Sequence, residues 1–100
     1  MSEAPAPRVA QLHQNYPNPF NPRTTIRFSL PDAQKVRLTV HDAQGRLVAT
    51  LASQQLPAGR HEVPWHGKNS EGHSVASGVY FYRLATDDGA VRSRRMVLLK

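Results

Sequence analysis

The chain has 100 residues, with thirteen Lys and Arg against seven Asp and Glu, a net charge of +6 and no cysteine. That length holds one domain with one modest core. The missing thiols exclude a disulfide framework, a thiolate nucleophile and any cysteine-based metal site.

Residues 1–11 open with Met1-Ser2-Glu3-Ala4-Pro5-Ala6-Pro7. With no basic head and no apolar stretch, this reads as a Pro/Ala linker or the remnant of a cut from a longer protein, not as a secretory leader. The domain is expected over 12–100. Asn15-Tyr16-Pro17-Asn18-Pro19-Phe20-Asn21-Pro22 follows, with three prolines in six residues. Proline fixes φ near −65°, removes a backbone donor and pushes its predecessor towards extended geometry. The segment is therefore expected to be stiff and extended, neither helix nor central strand, with Tyr16 and Phe20 as apolar anchors.

Thr24 to Leu30 alternates like a strand and stops at Pro31. Val36, Leu38 and Val40 alternate with Arg37, Thr39 and His41, so Lys35 to His41 reads as a half-buried strand. Asp42-Ala43-Gln44-Gly45 is a turn with Gly45 placed for positive φ. Leu47 to Leu51 completes a hairpin, and Leu56-Pro57-Ala58-Gly59 is another turn. His61, Val63 and Trp65 then share one face, and Pro64 puts that strand at an edge or its own end. Residues 66–78 are a long connection. Val79 to Thr86 is a strong strand with Tyr80, Tyr82 and Leu84 inward, and Asp87-Asp88-Gly89 is a hairpin turn.

Val91 to Lys100 is the last strand. Met96-Val97-Leu98-Leu99 is apolar in both phases. One face fills the core. The other needs cover from the proline-rich segment, a neighbouring domain, a partner, or a central position in the sheet. No segment has a helical period, and no apolar run nears the ~20 residues that span a bilayer, so no transmembrane segment is expected. About seven strands with turns at roughly ten-residue spacing is the pattern of an all-β antiparallel sandwich. Arg92-Ser93-Arg94-Arg95 is the one dense basic cluster; without a nucleic-acid motif beside it, Arg92 and Arg94 read as outward, solvated charges and no nucleic-acid partner is expected.

Taken in order, these pieces carry a resemblance. The chain resembles the type A C-terminal sorting domain of the type IX secretion system, and the related Ig-like domain of the flagellar hook-capping scaffold protein. The matching residues are Asn15 through Pro22, then Thr24-Thr25-Ile26 and Phe28. They continue through Asp42-x-x-Gly45-Arg46-x-Val48, Pro57-Ala58-Gly59 and Trp65-x-Gly67. Ala76-Ser77-Gly78-Val79-Tyr80-Phe81-Tyr82-Arg83-Leu84 and Met96-x-Leu98-Leu99-Lys100 close the match. His66 departs from the acidic residue usual between that Trp and Gly.

The resemblance implies an Ig-like sandwich that acts as an address label. It implies a secreted, cell-surface protein that passes through the periplasm. Its partners would be the outer-membrane secretion machinery, a cell-surface sortase and an N-terminal cargo domain. The implied recognition residues are Pro57, Gly59, Gly78, Tyr80, Tyr82, Leu98, Leu99 and Lys100. Asn15, Pro17, Asn18, Pro19, Phe20, Asn21 and Pro22 form the structural lead-in motif.

Nothing in the sequence requires catalysis or a cofactor. His61, His66 and His73 lie close in sequence and three imidazoles can bind zinc, but their spacing fits no ligand pattern, and a core or turn role is expected. No Gly-x-Ser-x-Gly elbow exists. Asp32 and Asp42 each open an Asp-Ala-Gln, read as two similar turns rather than a carboxylate pair. Asp87-Asp88-Gly89 has too few oxygens for calcium. The alternative function is a carbohydrate-binding or cell-attachment module, which would need exposed aromatics on one sheet face; Trp65, Tyr16, Phe20 and Phe81 are the candidates, with Trp65 expected inside.

Overall fold

The computed structural model describes residues 9–100, so most of the expected linker lies outside the described residues. The strands are β1 (Gln11–Leu12), β2 (Thr24–Leu30), β3 (Gln34–Asp42), β4 (Leu47–Leu56), β5 (Gly59–Trp65), β6 (Gly78–Thr86) and β7 (Val91–Leu98). They form a three-stranded sheet in the order β1-β2-β5 and a four-stranded sheet in the order β4-β3-β6-β7. All pairings are antiparallel, and the expected all-β sandwich is what forms.

Alternation decides what enters the core, because successive strand residues point to opposite faces. Ile26, Phe28 and Leu30 of β2 face Val36, Leu38 and Val40 of β3 and Tyr82 and Leu84 of β6, all with 1% exposure or less. Met96 and Leu98 of β7 complete this layer. Burying each such side chain contributes roughly 1.5–3 kcal/mol, and the core is continuous from Ala10 to Leu98.

Three turns fall where expected. Asp42 closes the β3–β4 turn: its carboxylate accepts the N–H groups of Gln44 and Arg46, both at 2.9 Å. The β6–β7 turn is closed by Gly89 N–H on Thr86 O at 3.0 Å. The Pro57-Ala58 turn carries the chain from β4 in one sheet to β5 in the other, and Pro64 indeed lies on an edge strand.

Four expectations are corrected. β4 runs to Leu56, beyond Leu51; at a sheet edge its inward positions are only partly covered, so polar Ser53, Gln54 and Gln55 are accommodated without alternation. β7 is an edge strand, which removes the central position from the covers left open for it. Arg92 and Arg94 share the inward phase of Met96 and Leu98, opposite Leu84 and Tyr82. They remain exposed because the edge of the sandwich is open there, and Arg94 Nε closes the gap by donating to Leu12 O at 2.6 Å. The proline-rich segment bends at residues 17–19 and 21–22 instead of running straight. Phe20 is its apolar anchor at 2% exposure, whereas Tyr16 is 70% exposed. Tyr16 pairs with Thr25, on the outward phase of β2, so its ring points away from the core.

Candidate functional site

The proline-rich segment lies across one pole of the sandwich and hydrogen-bonds to both sheets. Tyr82, fully buried on β6, donates its hydroxyl to His13 O at 2.6 Å and accepts the Asn15 N–H at 2.9 Å. Asn15 is itself buried at 2% exposure. Its side-chain amide donates to Thr24 Oγ1 at 3.0 Å and Pro17 O at 3.2 Å, and Thr24 Oγ1 donates to Pro17 O at 2.8 Å. Every buried polar side-chain atom among the described residues is paired, which is what makes a polar knot tolerable beside an apolar core.

The same segment reaches β7. Asn18 Oδ1 accepts the Val97 N–H at 2.9 Å. Phe20 N–H donates to Val97 O at 3.0 Å, and Leu99 N–H donates to Phe20 O at 2.9 Å. Gln14 Nε2 donates to Arg95 O at 2.9 Å. The cover that β7 needs is therefore supplied along its backbone edge by the chain's own lead-in. Of the apolar run, Met96 and Leu98 are buried, Val97 is half-buried and Leu99 is exposed.

Three aromatic rings pack under this strap. Phe20 and Trp65 lie 5.7 Å apart, and Trp65 and Tyr80 meet edge-on at 5.5 Å. Their polar tips find backbone acceptors: Trp65 Nε1 on Lys68 O at 2.9 Å and Tyr80 Oη on Ala76 O at 2.7 Å. Gly67 sits at φ 69° with Pro22 O only 3.2 Å from where a Cβ would be. Here glycine serves both backbone conformation and close approach.

Burial pushes the phenols of Tyr80 and Tyr82 above their ordinary values, with the Asp42 charge adding to the effect at Tyr80. Asp42 is held below the usual carboxylate range, first by the Arg46 backbone N–H. Asp88 is held low, first by its hydrogen bond from the Thr86 hydroxyl.

The structure divides the sequence-derived site residues between two poles. Asn15, Pro17, Asn18 and Phe20 join the strap directly; Pro19, Asn21 and Pro22 carry it past Gly67. Gly78 pairs with Leu98, and Tyr80 with Met96, at this same pole. Lys100 is exposed, with its N–H on Ser77 Oγ at 3.0 Å. Pro57 and Gly59 lie at the opposite pole, where Gly59 pairs with the far end of β2 at Leu30 while Trp65 pairs with its start at Thr24. Six strand steps separate the two ends of β5, about 20 Å, so the turn and the terminal residues do not form one site.

His61 is half-buried, stacks on Phe28 at 5.3 Å and donates Nε2–H to Pro57 O at 2.7 Å. It serves the turn. His66 and His73 are exposed in the long connection. Among the described residues no three His, Asp or Glu gather around a point that a metal ion could occupy. Sequence reading named Tyr82 and Arg94 but missed their roles, the Tyr82 hydroxyl as the tie of the strap and Arg94 as the closure of the open edge. No sequence spacing links either to its partner.

Residues 21–90 match the FlgD Ig-like domain family. The chain is 37% identical over 60 residues to the basal-body rod modification protein FlgD of Salmonella typhimurium, a match covering 60% of this chain and 26% of that protein. The protein of the same name from Salmonella typhi matches equally. The chain thus corresponds to about a quarter of these relatives. Among solved structures, dimeric latent PorU from Porphyromonas gingivalis superposes with a TM-score of 0.75 at 22% identity, over 98% of this chain and 10% of that one. PorZ, described as an essential bacterial surface component of the type IX secretion system of Porphyromonas gingivalis, superposes with a TM-score of 0.60 at 23% identity, over 89% of this chain and 11% of that one. At such identities the likeness is one of fold.

Proposed function

We propose that this chain, which belongs to the FlgD Ig-like domain family, is a non-catalytic C-terminal sorting and anchoring domain that directs a secreted cargo through the type IX secretion system to the cell surface. One observation carries the reading. The segments outside the family match, residues before 21 and after 90, hold Asn15 to Phe20 of the lead-in motif and the whole terminal motif that resemble the sorting class, and they hydrogen-bond to each other through Phe20, Val97 and Leu99. The strap and the exposed Leu99 and Lys100 are thereby presented together at one pole, whereas Gln11, paired with Ser29, brings the chain in from the side of the opposite one. The fold shared with PorU and PorZ supports the same direction. On this reading the partners are the outer-membrane machinery and its surface sortase, and the route is through the periplasm.

A second reading, an assembly module of the flagellar-scaffold kind, draws on the FlgD match. The carbohydrate-binding alternative draws little support. Trp65 and Phe20 are buried, and the exposed rings Tyr16 and Phe81 belong to opposite sheets.

The test is a fusion of the chain to the C-terminus of a periplasmic reporter, in a diderm bacterium that has the secretion system. The intact fusion is expected at the surface or in the medium. A fusion lacking Leu99 and Lys100 is expected to stay folded and accumulate in the periplasm. Retention of the intact fusion in a competent host overturns the proposal.

A further inference from the structure

Sheet edges invite strand addition unless they are blocked, and the four edges here are treated unequally. β5 carries Pro64, Arg60 and Glu62. β1 is two residues long, and Arg94 bonds its Leu12 carbonyl. β7 is covered by Gln14, Asn18 and Phe20. The start of β4 is met by the long connection, where Ser70 N–H donates to Val48 O at 3.1 Å. The remainder of β4 has no such guard. Leu47–Leu56 is the longest strand and contains no charged residue and no proline. Beyond its ladder with β3, no hydrogen bond among the described residues involves Ala49 to Leu56.

Two bulges interrupt β4, leaving Val48 and Leu51 without β3 partners. Bulges twist an edge and discourage pairing. Both precede Ala52, and Ala52 to Leu56 runs in unbroken register with Leu38 to Gln34. Those five residues present a regular, uncharged backbone edge.

The flanks say what fits it. On the outer face, Ser53 stands opposite Arg37 and Gln55 opposite Lys35, both exposed cations without a salt-bridge partner among the described residues. A shallow hollow of about 400 Å³ lies there, walled by Lys35, Arg37, Thr50 and Ser53, with Asp87 also on its lining. On the inner phase, Ala52 and Leu56 are only half-buried. A strand added beside β4 would lie two strand spacings, about 10 Å, from β3, within joint reach of an arginine and a glutamate side chain.

We propose that the Ala52–Leu56 edge of β4 takes an extended segment of a partner protein whose residues alternate apolar and acidic. Main-chain bonds supply the affinity of such strand addition and alternate side chains the specificity. Apolar residues cover Ala52 and Leu56, and acidic residues meet Lys35 and Arg37. A second copy of this chain is the poorer occupant, because pairing two β4 edges sets Lys35 and Arg37 against their own kind on molecules of net charge +6. The inference is independent of the sorting reading.

The probe is a blocked seven-residue peptide of alternating valine and glutamate, titrated into the ¹⁵N-labelled chain at low salt. Saturable amide shifts are expected from Ala49 to Leu56 and in the facing stretch of β3. A folded Lys35→Glu/Arg37→Glu variant is expected to bind at least fivefold more weakly, and Gln55→Glu alone to weaken binding in the same direction. The peptide N-methylated at alternate residues is expected not to bind. Shifts centred elsewhere, equal binding by the N-methylated peptide, or no change in the charge variants overturns the proposal. So does peptide-free self-association that perturbs β4, which would make a second copy the occupant.

Discussion

The Tyr82 hydroxyl accepts the backbone N–H of Asn15, 67 residues earlier in the chain, at 2.9 Å. With its donation to His13 O, this one phenol ties the proline-rich segment to the centre of the four-stranded sheet. Tyr82→Phe keeps the ring and removes both bonds, leaving the buried Asn15 N–H and the part-buried His13 carbonyl without this partner. A loss of about 1–3 kcal/mol is expected, read as a lower urea midpoint at unchanged slope.

Trp65 is 3% exposed and sits between Phe20 and Tyr80. Trp65→Ala is expected to cost about 3–5 kcal/mol, a large share of the ~5–15 kcal/mol available to a domain. Chemical denaturation with near-ultraviolet circular dichroism measures it. A midpoint close to that of the unmodified chain would refute the buried-anchor role.

Leu98 and Leu99 are neighbours with opposite burdens. Leu98 is fully buried and Leu99 is 52% exposed. Leu98→Ala is expected to cost about 2–5 kcal/mol, whereas Leu99→Ala should stay within about 0.5 kcal/mol. Thermal melts of the pair separate a folding role from a surface role at the end of β7.

Gly67→Ala tests the strap's approach to the long connection. At φ 69° a side chain is strained, and its Cβ meets Pro22 O. A loss of about 1–3 kcal/mol is expected. Gly45→Ala, at φ 84° but with open space around its Cβ, should cost less.

Asp42 and Asp88 are both held below the ordinary carboxylate value by hydrogen bonds. A carboxylate with a lowered folded value adds stability above its unfolded value, about 3.9, and loses it as pH falls through the folded value. Asp42→Asn/Asp88→Asn is therefore expected to flatten the melting temperature between about pH 5 and about pH 2. An unchanged acid limb would show that other carboxylates govern it.

The sequence by itself determined the class of fold and most of its parts. Period-two alternation in β2, β3 and β6 specifies which face is buried, because one residue of slip would turn every side chain to the other face. Asp42, Gly45 and Gly89 mark turns through local chemistry that acts within four residues. Tertiary structure alone decided the rest. Which strand lies at an edge depends on pairings between distant segments, so several covers for β7 stayed open until the fold selected the proline-rich segment, whose Asn18–Phe20 backbone lies nearly eighty residues away. Arg92 and Arg94 read as outward because a charge was assumed to leave the core; on an open edge the inward phase is itself wet. Tyr16 and Phe20 looked alike in sequence, and only the pairing of Tyr16 with Thr25 and of Phe20 with Leu98 turned one ring to solvent and the other beneath the strap.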